Sequence, residues 1–174
     1  NCILHGDCGE TDTTYTQASI NMEMSEDLNL TISIDNFVTT GYMNLTVNFD
    51  NSSLTYQHYT FGDGISVPFI YPMENEISIL FNSLPINSYT ELINIQFSGN
   101  NYENTMISLS DIDIIDSNGN SIYYSCSDTT YTTSYPCIQN GGSWSINSDE
   151  IFIENYLCYK LVDGQFIWTN NCFN

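Results

Sequence analysis

The stretch ISLSDIDIIDSNGNSIYY, Ile107 to Tyr124, decides how the rest of the chain is read. It sets Asp111, Asp113, Asp116, Asn118 and Asn120 around Gly119. Two structures could use such a run: a calcium-binding loop, or a β-hairpin with an acidic turn. A helix–loop–helix calcium loop takes ligands at its first, third and fifth positions, then needs glycine at the sixth and glutamate at the twelfth. Asp116, Asn118 and Asn120 suit the first three, but Ser121 and Ser127 stand where glycine and glutamate belong. Asn118–Gly119 between the strand-like runs DIDII and SIYY is instead the signature of a tight hairpin. The hairpin is the better reading. Calcium held by Asp111, Asp113 or Asp116 with a neighbouring loop is retained as a second expectation, because a hard cation asks for several oxygens.

Working outward, helical periodicity is nearly absent and alternation with period two recurs. In LNLTISI, Leu28, Leu30, Ile32 and Ile34 share one face and Asn29, Thr31 and Ser33 the other. NLTVNFD sets Leu45, Val47 and Phe49 against Asn44, Thr46 and Asn48. Further strands are expected over 54–60, 66–71, 76–81, 91–98, 105–115 and 121–125, separated by turn-forming runs such as DNSS, GDG and SGNNYEN. One strand changes phase. Ile107 and Leu109 are odd-numbered but Ile112 and Ile114 even, so a β-bulge or bend is expected near Ser110–Asp111. Short strands with polar outer faces and no convincing helix imply an all-β fold, an antiparallel sandwich or barrel.

Composition narrows the function. The 174 residues carry 21 Asp and Glu against one basic side chain, Lys160, for a net charge of −20. With 41% hydrophobic and 14% aromatic residues the chain is too apolar to be an acidic disordered tail. No cationic patch exists to neutralise phosphates, which argues against nucleic acid and against anionic membrane surfaces. No apolar run is long enough for membrane insertion. Without cationic neighbours, the carboxylates must be solvated, hydrogen-bonded to backbone N–H groups, or metal-bound.

Cys2, Cys8, Cys126, Cys137, Cys158 and Cys172 form an even set with no C-x-x-C pair, and two histidines cannot complete a usual zinc site. Disulfides and an oxidising, extracellular or cell-surface location follow as the expectation. The start at Asn1 without methionine suits a mature secreted product. Sequons at Asn29, Asn44 and Asn51 are candidate glycosylation sites. From Cys126 the texture turns loop-like, with Pro136 and Gly141–Gly142 as breakers. YLCYKLV-DG-QFIWT then reads as a hairpin whose Asp163–Gly164 turn is of type I′. Three segments are therefore expected: a cysteine-bearing tail (1–13), a sandwich (14–125), and a cysteine-rich extension (126–174) packed on it.

ISLSDIDIIDSNGNSI, preceded by ELINIQFSG, resembles the closing strands of cohesin domains. YTQASINMEMSEDLNLTISIDNF is similar to their opening strands, and YMNLTVNFDNSSLTY to the segment that follows. Order and spacing both fit over about residues 14–125. The resemblance implies a jelly-roll β-sandwich, here with a disulfide-stapled C-terminal β-hairpin extension. It also implies a face that binds dockerin modules, and kinship with carbohydrate-binding modules. The six cysteines and the long C-terminal extension depart from the family pattern.

Catalysis is the weakest functional class. His5 lies in the tail and His58 in a strand, and neither belongs to a nucleophile-and-base set. The leading expectation is a non-catalytic, secreted subunit that assembles with itself into a filament or surface layer, through its tail or by strand exchange. The alternative is a cohesin-like module that recognises a dockerin-type protein or a carbohydrate. Trp144 and Trp168 would be its binding aromatics, with YYSC and YTTSYP as exposed tyrosine clusters.

Overall fold

A computed structural model describes residues 17–37, 41–66, 69–85 and 89–173. Cys2, Cys8, His5 and the expected tail lie outside the described residues. The strands are β1 (Ala18–Met24), β2 (Asn29–Asp35), β3 (Gly41–Phe49), β4 (Leu54–Phe61), β5 (Phe69–Pro72), β6 (Glu76–Phe81), β7 (Thr90–Gly99), β8 (Met106–Asp116) and β9 (Tyr124–Cys126). A short helix, α1 (Ser134–Gln139), follows, then β10 (Trp144–Ile146), β11 (Ile151–Ile153), β12 (Tyr156–Val162) and β13 (Gln165–Thr169). They form an antiparallel jelly-roll sandwich of two sheets. The first runs β11-β1-β2-β7-β4 and the second β13-β12-β8-β3-β6-β5; β9 and β10 make a separate ribbon.

Alternation puts the core between the sheets. Leu30, Ile32 and Ile34 of β2 and Met43, Leu45, Val47 and Phe49 of β3 are buried, as the period-two pattern requires. Leu28 is buried too but precedes its strand. It takes left-handed backbone (φ 60) in the β1–β2 turn, where its N–H donates to the Ser25 carbonyl.

The phase break in β8 is a bulge. Thr46 of β3 faces Ser110 whereas Asn44 faces Asp113, so one residue of β3 is matched by two of β8. Asp111 absorbs the irregularity with φ 51, and the Asn44 side chain donates to its carbonyl at 2.9 Å. Ile107, Leu109 and Ile114 are thereby all buried. A β-branched residue tolerates left-handed backbone poorly, whereas glycine takes it freely. Asp111→Val is therefore expected to cost about 1–2 kcal/mol and Asp111→Gly little or nothing. Urea denaturation midpoints of the two variants check this; equal stability would remove the bulge from the account.

The opening hairpin forms around Asp116. Its Oδ1 accepts the N–H groups of Asn118 (2.8 Å) and Asn120 (2.9 Å), while Gly119 supplies φ 85. The return strand is shorter than the expected 121–125. It makes only a bridge from Ser121 to Ile115, because Tyr123 turns to φ 65 and sends the chain into β9, paired with β10.

The C-terminal residues extend both sheets. β11 adds to β1 in parallel, from Ala18↔Ile151 to Ile20↔Ile153, and β12 pairs antiparallel with β8. The β12–β13 hairpin turns at Asp163–Gly164 with φ 50 and 85, as the type I′ reading requires. Disulfides join Cys126 to Cys137 and Cys158 to Cys172, with Cα separations of 5.8 and 5.7 Å. The loop-like reading of YTTSYPCIQN is corrected by α1. Pro136 does not break it, because the first turn of a helix leaves its N–H groups unpaired and loses nothing to a missing donor.

Candidate recognition surfaces

The acidic residues expected to hold a cation are engaged separately. Asp116 caps its own turn, and chiefly the N–H of Asn120, then that of Asn118, holds its carboxyl below the usual carboxylate range. Asp113 accepts the Ser121 hydroxyl at 2.9 Å, and Asp111 accepts that of Ser110 at 3.1 Å. Among the described residues no group of three or more His, Cys, Asp or Glu is placed to hold a metal ion. Elsewhere too, carboxylates find N–H and O–H donors. The Ser52 hydroxyl and N–H lower Asp50, those of Thr130 lower Asp128, and Glu154 accepts the N–H of Met22.

The sequon side chains are all hydrogen-bonded. Asn29 sits mid-sheet and donates to Asn94, Asn44 donates to the β8 bulge, and Asn51 in the β3–β4 turn donates to Glu74. His58 lies exposed on the edge strand β4. The tyrosine cluster YYSC is not an exposed patch. Tyr123 is buried, and the Tyr124 hydroxyl donates to the Ile112 carbonyl at 2.6 Å. Burial, with the charge of Asp113 adding to it, pushes Tyr124 up to about 12.

The two outer faces of the sandwich differ. On the first sheet the Thr31 hydroxyl donates to the Asn94 side chain at 2.6 Å, and the Gln96 side chain donates to the backbone carbonyl of Asp27 in the β1–β2 turn. Among the described residues, the large exposed apolar side chains of this sheet are Tyr59 and Phe152, on its edge strands β4 and β11, and none lies on β1, β2 or β7. On the second sheet, register places Phe69 opposite Leu80 and Tyr71 opposite Ser78, and Leu80 in turn opposite Asn44. Phe69 (64% exposed), Tyr71 (56%), Tyr42 (49%) and Leu80 (37%) therefore share its outer face. They border a strip of Asn44, Thr46, Asn48, Ser108 and Ser110, in which Asn48 donates to the Ser110 hydroxyl at 2.9 Å. Side chains on one face of adjacent strands are in mutual reach, so this is one surface.

The two tryptophans stand in separate ring pairs. Trp144 stacks on Tyr124 at 6.3 Å, in the β9–β10 ribbon. Trp168 stacks on Tyr102 at 6.1 Å, and Tyr159 touches both at 4.8 and 5.3 Å. Tyr102 comes from the β7–β8 loop, which no local pattern links to the C-terminal hairpin.

No family model matches the sequence, and no curated protein does. Solved cohesin domains do match the fold. One is a non-cellulosomal cohesin from the hyperthermophilic archaeon Archaeoglobus fulgidus: TM-score 0.52, 21% identity, covering 61% of this chain and 83% of that one. A second is the third cohesin ScaC of Acetivibrio cellulolyticus, solved with the ScaB dockerin: TM-score 0.52, 15% identity, covering 61% and 90%. A third is a type I cohesin–dockerin complex from Clostridium thermocellum: TM-score 0.51, 12% identity, covering 61% and 91%. The chain thus has a cohesin-like fold.

Proposed function

We propose that this chain is a non-catalytic recognition module that docks a folded protein of dockerin type on the outer face of β8-β3-β6-β5. The observation that carries the reading is the contrast between the two outer faces. One keeps its large exposed apolar side chains to the edge strands β4 and β11, and the other presents Tyr42, Phe69, Tyr71 and Leu80 around a strip of amides and hydroxyls. Exposed aromatics beside hydrogen-bonding groups are the make-up of a protein interface. Two of the similar cohesins were solved bound to dockerins, which supports the same class of partner. The self-assembling filament, placed first from sequence, has no comparable support. Two disulfides accord with a location outside the cell. The charge of −20 favours a partner whose contacting face is basic, with association slowed by salt.

Calorimetric titration against a panel of purified dockerins tests the proposal. Binding is expected, with Tyr42→Ala and Phe69→Ala each weakening it by about 2 kcal/mol, roughly thirtyfold, if they are anchors. Asn94→Ala, on the opposite face, should leave it unchanged. Failure of every dockerin to bind, or binding indifferent to Tyr42 and Phe69, would remove the proposal.

A further inference from the structure

A second surface lies along the side of the sandwich, where β1 faces the C-terminal hairpin. Three adjoining depressions run along it, with volumes of about 410, 340 and 390 Å³. Asn170 lines the first and second, and Met24 and Trp168 line the second and third, so they form one groove. Each is within the roughly 300–1,000 Å³ range of small-ligand sites. At one end the rings of Tyr102, Tyr159, Phe166 and Trp168 form its wall. At the other stand the carboxamides of Asn155, Asn170 and Asn171.

We infer that this groove binds a neutral, linear oligosaccharide. Charge excludes the anionic alternatives: the ionisable side chains of its lining are Glu23, Glu26 and Glu154 with tyrosines, and no lysine or arginine is among them. Lys160 lines none of the three depressions; it pairs opposite Ile167, and its ammonium donates to the Asn171 backbone carbonyl. Ring geometry argues against a cation. An aromatic cage needs space between ring faces for an ammonium group, but Tyr102, Tyr159 and Trp168 touch one another at 4.8 to 6.1 Å. Tyr159 is inclined by 63° to Tyr102 and by 51° to Trp168, so the rings form a wall, on which the C–H face of a sugar can lie against one ring at a time. Carboxamides offer both donors and acceptors, which matches hydroxyl groups. Both carboxylate oxygens of Glu154 are engaged, by the Met22 N–H and the Asn170 side chain, so it orients Asn170 and leaves Glu23 and Glu26 at the rim as acceptors.

The test is affinity electrophoresis of the intact protein in gels containing β-glucan, arabinoxylan or galactomannan, with polygalacturonate as the anionic control. At least one neutral polymer should retard the chain and polygalacturonate should not. Trp168→Ala and Tyr102→Ala should each weaken retardation at least tenfold, and Trp144→Ala should not change it. Because Trp168 belongs to the hairpin and packs on Tyr102 and Tyr159, a second readout avoids its removal. In Trp144→Phe the only remaining tryptophan is Trp168, and its emission should shift on titration with the matching oligosaccharide. No retardation by any neutral polymer, retardation indifferent to Trp168 and Tyr102, or a Trp168 response to trilysine in place of sugar overturns the inference. The dockerin titration reads the other surface, so either result stands apart from it.

Discussion

Phe97→Ala is expected to remove about 3–5 kcal/mol of folding stability. Phe97 on β7 is 2% exposed, and its ring meets that of Phe49 on β3 edge-to-face at 5.0 Å. The strands belong to different sheets, so this pair spans the sandwich. Truncation loses the buried ring surface and leaves a cavity that two hydrogen-bonded sheets cannot close around. Against a total stability of about 5–15 kcal/mol, the loss is a large share. Urea denaturation of the single variants and of the Phe49→Ala, Phe97→Ala pair separates the contributions. The coupling between the two rings should be about 0.5–1.5 kcal/mol. A single-variant loss below about 1 kcal/mol would mean that Phe97 is not held between the sheets.

The sandwich was legible because burial on one face writes itself into the chain with period two. Leu30, Ile32 and Ile34 declared the inner face of β2, and the change from Leu109 to Ile112 declared the bulge at Asp111. Asn118–Gly119 and Asp163–Gly164 declared their turns through the positive φ that glycine supplies. Other features left no local trace. β11 is three residues long, too short to show a period, and its parallel pairing with β1 depends on a partner far back in the chain. α1 was hidden by Pro136, which reads as a breaker unless its place in the first turn is known. The candidate surfaces were the least legible. Trp168 was visible as a large aromatic, but its partner Tyr102 arrives from another loop. Tyr42, Phe69, Tyr71 and Leu80 become one face only when register sets β5 beside β6 and β6 beside β3. Composition could suggest a secreted binding or assembling protein, but not choose between them, because that choice rests on surfaces made by register.

Removing the Cys126–Cys137 disulfide, by replacing both residues with serine, is expected to unfold residues 127–143 while the sandwich stays intact. Between those limits Cys137 is the buried side chain, and none of the four described cysteines belongs to the main apolar cluster. The disulfide is therefore the core of this segment. The chain wraps it so closely that a Cβ on Gly142 would lie 2.7 Å from the Cys126 sulfur and 2.8 Å from that of Cys137. What else holds the segment is small. α1 has six residues, and β9 and β10 have three each, all below the length at which such elements persist alone. Opening a loop with a sequence separation of 11 forfeits about 3 kcal/mol, more than those elements can replace. Hydrogen exchange followed by mass spectrometry reads the outcome by segment. Amides of 127–143 should lose their protection while those of β3, β7 and β8 keep theirs. The Cys158→Ser, Cys172→Ser pair should do less, because β12 is hydrogen-bonded to β8 on one side and β13 on the other. Undiminished protection of 127–143 in the first variant would show that the segment is held by its contacts with the sandwich and not by its disulfide.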